Sequence, residues 1–147
     1  MNQNKQKTIK KWRCLMYYGL LFLITSFAQT SIAMYRFKDQ PSGDLTFNFF
    51  QDVFVGSLFV SLFYILLLYF IHKISRFSIQ IIVHSILLVG LWFLQNLSVF
   101  IDREASWSTY SIRESVYYTL DYSLIPIVST LLIYIFISFR LYKYCQE

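Results

Sequence analysis

From Val53 to Ile71 the chain carries no charged side chain, and most of that run is aliphatic or aromatic. Hydrocarbon offers no water to bond backbone N–H and C=O groups, so a run of about 20 such residues is read as a helix built to cross a bilayer. Three further windows meet the same test, giving candidate spans near 14–34, 53–71, 78–100 and 117–139. Barrel strands alternate apolar and polar residues over about ten positions, and these runs do not. The expected fold is therefore an all-α integral membrane protein. It is a four-helix transmembrane bundle with up-down topology, in a single membrane domain covering residues 1–147.

Composition agrees with lipid as the solvent. Charged residues make up 14% of the chain, where soluble domains carry about 25%, and mean hydropathy is +0.49. The net charge of +5 does not point to nucleic acid, because the cations lie in short clusters beside apolar runs and form no extended basic face.

Those clusters set the expected orientation, since Lys and Arg in short connections favour the cytoplasmic side. Lys5, Lys7, Lys10, Lys11 and Arg13 precede the first span. Lys73 and Arg76 lie between the second and third, and Arg140 and Lys143 follow the fourth. Most acids, among them Asp39, Asp44, Asp52, Asp102, Glu104 and Glu114, fall at the opposite ends. Both termini are expected to be cytoplasmic, in a multi-pass protein of the cell (inner or plasma) membrane. Trp12, Tyr17 and Tyr18 would line one interface, and Tyr35, Trp107, Tyr110, Tyr117 and Tyr118 the other. The apolar part of the first span runs to about 20 residues, longer than the 7–15 of a signal-peptide core, so it is read as a retained span. Cys14 and Cys145 both fall on the expected cytoplasmic side, where thiols stay reduced.

The third span holds the most informative polar set. Gln80, His84, Leu91, Gln95 and Ser98 fall within about 60° of one another on a helical wheel. That face should turn toward neighbouring helices or water. His84 is a proton-relay or ligand candidate, set against the plainer reading of a neutral histidine bonded across the bundle. Asp121 lies about one turn into the fourth span, at a depth similar to Gln29, Gln95 and Asn96, and these could form a polar vestibule. Small residues on the second helix (Gly56, Ser57, Ser61) and on the first (Thr25, Gln29, Ala33) read as helix packing. In the loop before the fourth span, Asp102-Arg103-Glu104 reads as solvated ion pairing.

The sequence contains no G-x-S-x-G, no phosphate-cradling glycine loop, no H-E-x-x-H and no C-x-x-C. His72 and His84 would stand about 18 Å apart along a helix, too far to share a metal. The reading is a protein that is not an enzyme and has no catalytic residue, cofactor or metal. The expected partners are the lipid bilayer and either another membrane protein or further copies of this chain.

The layout resembles that of the four-helix inner-membrane immunity proteins that protect bacteria from pore-forming colicins. They too have a basic N-terminal tail, four spans, a tight basic hairpin and two modest loops at the other side. The likeness covers the plan of the whole chain and rests on no residue motif, so no residue role is carried over. It implies a protein that binds a toxin's pore-forming helices in the bilayer. Specificity would then lie in the loops Phe37–Gln51 and Asp102–Ser115, with Trp107 and Tyr110 as interaction candidates. The alternative is a small oligomeric transporter or channel using the His84/Gln95 polar face.

Overall fold

A computed structural model describes residues 3–43, 48–71 and 77–146, with side chains described at 12–43, 48–71, 79–106 and 108–141. Four long helices carry the fold: α1 (Gln3–Ala33), α2 (Phe49–Ile71), α3 (Phe77–Arg103) and α4 (Ile112–Gln146). Single 3-10 turns at Tyr35–Phe37 and Ala105–Trp107 follow α1 and α3. Each long helix contains a stretch long and apolar enough to cross a membrane: Trp12–Ala33, Phe49–Ile71, Ile79–Arg103 and Ile112–Leu141.

α2 and α4 begin four and five residues before their apolar windows, and polar capping accounts for both starts. The Asn48 side chain accepts from the Gln51 N–H at 3.0 Å, and Gln51 Oε1 accepts from the Asn48 N–H at 3.2 Å. At α4 the Ser111 N–H donates to Glu114 Oε2 at 2.8 Å, and Ser111 Oγ accepts from the Glu114 N–H at 3.3 Å. Each is a reciprocal capping box that satisfies backbone donors a helix start leaves orphaned.

Neighbouring helices meet in register. Asp52, Ser57 and Tyr64 of α2 bond to Arg103, Gln95 and His84 of α3. On α1, Phe22 stacks on Tyr64 at 4.2 Å while Phe27 meets Phe54 at 6.1 Å. Gly19 brings α1 close to α2, because a Cβ there would lie 2.7 Å from Ile65 Cγ1. Between α1 and α4, the Tyr18 hydroxyl donates to the Ser138 carbonyl at 3.3 Å. Packing is closest between α1 and α2, α1 and α4, and α3 and α4, and sparser between α2 and α3.

The core divides along the bundle into two buried clusters. One, centred on Phe22, Tyr64, Leu88, Trp92, Ile127 and Tyr134, fills the part toward the chain termini. The other, centred on Met34, Phe37, Phe49, Val53 and Phe100, closes the end bearing residues 34–43 and 104–111, with Tyr110, Tyr118 and Tyr122 packed against it. These are called below the terminal end and the loop end.

The structure corrects the expectation of a free thiol, since Cys14 is disulfide-bonded. The other cysteine in the sequence is Cys145, whose side chain lies outside the described residues.

Candidate functional site

The polar face of α3 serves two separate hydrogen-bonded groups. Toward the terminal end, half-buried His84 places Nε2 2.5 Å from the Tyr64 hydroxyl, which is also 2.5 Å from the Tyr134 hydroxyl. The imidazole stacks on Tyr64 at 5.7 Å and meets Tyr134 edge-on at 5.8 Å. One imidazole and two phenols thus tie α2, α3 and α4 together. Gln80, one turn nearer the end of α3, is half-buried.

Toward the loop end, Gln95 is buried and bridges three helices. Its Oε1 accepts from Ser26 Oγ at 2.5 Å, and its Nε2 donates to Ser57 Oγ at 2.7 Å and to the Val53 carbonyl at 3.3 Å. The donors and acceptor of this amide are therefore spent inside the bundle. His84 and Gln95 lie about 16 Å apart along α3, and buried Leu88, Leu91 and Trp92 occupy the helix between them.

Asn96 and Gln29 are wholly buried, as is Thr119 on α4. Both side-chain atoms of Asn96, together with Gln29 Nε2, Thr119 Oγ1 and Trp92 Nε1, have no hydrogen-bond partner within the protein. Asp121 does not join them: it is exposed on the outer surface of α4. The residues expected to share a vestibule are thus divided between the interior and the exterior of the bundle.

The small hydroxyl residues are absorbed by their own helices. Thr25, Ser57, Ser61 and Ser123 each donate to the carbonyl four residues back, at 2.6–2.8 Å.

At the loop end the structure departs from the reading of solvated charges. Arg103 is 2% exposed and Asp52 21%, and the two form an ion pair linking the facing ends of α3 and α2. A second guanidinium nitrogen donates to the Gln40 carbonyl at 2.8 Å. Asp102 accepts from Ser42 Oγ at 2.6 Å and from the Gly43 N–H at 3.0 Å, which pins the first loop. Sequence reasoning missed this arrangement because its partners come from three separate segments. The only local signal was a charge at the end of each of two apolar runs.

Tyr110 is half-buried, with its ring 5.3 Å from Tyr118 and 5.7 Å from Phe100. Partial desolvation, with a smaller effect of the Glu104 carboxylate, holds its phenol above the ordinary pKa. The Trp107 side chain lies outside the described residues. Among the described residues no group of three or more His, Cys, Asp or Glu could hold a metal ion. Compared with known proteins, the chain matches no family model, no curated protein and no solved structure.

Proposed function

We propose that the protein acts within a bilayer by binding another membrane protein side-on, with the outer surface of α4 as the contact. The observation that carries this reading is an exposed carboxylate inside an apolar stripe. Asp121 shares one helical face with Tyr117, Leu124, Ile125, Val128 and Leu132, at spacings of three, four, seven and eleven residues. All six are exposed. Only 11% of the apolar stretch of α4 is buried, against 28–33% of the other three.

A carboxylate facing lipid costs up to about 3 kcal/mol at mid-helix and less near the interface. A partner helix that brings a cation or hydroxyl donors to Asp121 would offset that cost, and the flanking aliphatic residues would supply packing. The helices of a pore-forming toxin, which the layout resemblance implies, are one partner class to test. The transporter reading draws less support, because Gln95 spends its amide and His84 its Nε2 on bonds within the bundle, and apolar side chains separate them.

The proposed topology is up-down. The distribution of basic residues favours a cytoplasmic terminal end in a cell membrane, whereas a disulfide at Cys14 favours an oxidising compartment. The two signals make opposite demands, so the redox state of Cys14 in cells decides the side.

The test is crosslinking in intact cells, mild-detergent purification and identification of what copurifies by mass spectrometry. A stoichiometric membrane protein partner, or a second copy of this chain, is expected with the native sequence and should be lost with Asp121→Asn. An equal yield of the same complex from a folded Asp121→Asn protein would overturn the assignment of α4.

A further inference from the structure

Between the loop-end halves of α2 and α3, where packing is sparser, a cleft of about 300 Å³ opens sideways. Its walls are apolar, with Phe59 67% and Leu94 60% exposed at the lips and Val60 and Val99 behind them. Its head is charged, formed by Asp52, Asp102 and Arg103. From Arg103 to Gln95 at its floor the cleft runs about 12 Å along α3. Gly56 lines the floor, where a Cβ would meet the Gln95 amide nitrogen at 3.7 Å, an ordinary contact, and a larger side chain would enter the cleft.

A lateral opening with apolar lips and a polar head matches an amphiphile lying parallel to the helices. Formal charge selects the kind. Two carboxylates and one guanidinium leave the head net negative, and the guanidinium is already committed to Asp52 and Gln40. Asp102 is partly exposed, and each of its oxygens accepts one hydrogen bond from the first loop. A carboxylate oxygen can accept a second. A primary ammonium supplies three N–H donors, whereas a trimethylated one supplies none. The Arg103 Nε–H is buried behind the same wall, without an acceptor in the protein.

We infer that the α2–α3 cleft is a binding site for one phospholipid whose headgroup ends in a primary ammonium. This rests on the membrane reading alone. The cleft lies off the α4 stripe, so failure here leaves the side-on partner untouched.

The experiment is native mass spectrometry of the full chain in detergent supplied with equal amounts of phosphatidylethanolamine, phosphatidylcholine and phosphatidylglycerol. The expected result is one phosphatidylethanolamine per chain, retained about fivefold or more over either competitor. Ser98 is exposed on the cleft wall, so Ser98→Phe should fill the space and remove the retained lipid. If that protein does not fold, Gly56→Leu fills the cleft from the α2 side. Asp102→Asn should keep a lipid but lose the preference for the ammonium headgroup. Equal retention of phosphatidylglycerol by the native chain would overturn the site. So would undiminished phosphatidylethanolamine in a folded cleft-filling variant.

Discussion

Replacing Gln95 by leucine isolates what a buried amide contributes to this bundle. The substitution nearly conserves volume, so the cavity term is small. With lipid as the alternative solvent, the added apolar surface gains almost nothing from association. What remains is the loss of the bonds to Ser26 at 2.5 Å and Ser57 at 2.7 Å, with a longer one to the Val53 carbonyl at 3.3 Å. Interhelical hydrogen bonds in membranes average about 0.6 kcal/mol and reach about 1.7. Two good bonds therefore predict a loss of about 1–2 kcal/mol for Gln95→Leu. The Ser57 hydroxyl keeps its donation to the Val53 carbonyl at 2.7 Å, whereas Ser26 loses its acceptor. The sharper quantity is thus the coupling between Ser26→Ala and Gln95→Leu, expected at about 0.6 kcal/mol. Reversible unfolding by SDS in mixed micelles measures it, with buried Trp92 among the fluorescent reporters. Strict additivity would show that the Ser26–Gln95 bond contributes nothing. A loss above about 4 kcal/mol for Gln95→Leu alone would exceed what these bonds can supply and refute the bridging account.

Other outcomes follow from the same geometry. Asp52→Ala should destabilise by about 3–5 kcal/mol by leaving a buried guanidinium unpaired; Arg103→Ala should cost less, because the remaining carboxylate is partly open to water, and the unfolding assay ranks the two. Tyr64→Phe takes a hydroxyl from both His84 and Tyr134 and should cost about 1–2 kcal/mol in that assay; no change would break the assigned triad. If the terminal end is cytoplasmic, Cys14 should react with a membrane-permeant maleimide in living cells without reductant. Labelling only after reduction would reverse the orientation. In liposomes the native chain should carry no flux that depends on His84, Gln95 or Asp121; flux abolished by His84→Ala, Gln95→Ala or Asp121→Asn in a folded protein would restore the transporter reading.

The spans were legible because hydropathy is a property of contiguous sequence, and the helix starts were less so because capping is not. Asn48 and Gln51, like Ser111 and Glu114, sit outside the apolar windows, yet their reciprocal bonds begin α2 and α4. The polar face of α3 was legible as a periodicity, and His84 and Gln95 do bond to other helices. Their partners were not, because periodicity gives a direction on one helix and says nothing of what stands opposite. Depth alone grouped Asp121 with Gln29 and Asn96, although the azimuth of Asp121 on α4 takes it to the other side of the helix. The Arg103–Asp52 pair was illegible for a related reason: adjacent opposite charges look self-sufficient until a third segment approaches.

α4 is fastened differently along its length. The hydrogen bonds described between it and its neighbours fall at Tyr134 and Ser138, toward the terminal end. Toward the loop end it is held by ring contacts, with Phe37 at 5.7 Å from Tyr122 and the Arg36 guanidinium 4.3 Å above that same ring. Between the two regimes stands Pro126, which has no N–H to offer the Tyr122 carbonyl. Directional bonds resist sliding and rotation, whereas stacked rings give way to both at small cost. A load applied at Asp121 would therefore act on a compliant lever joined to a firmer base, with Pro126 at the junction.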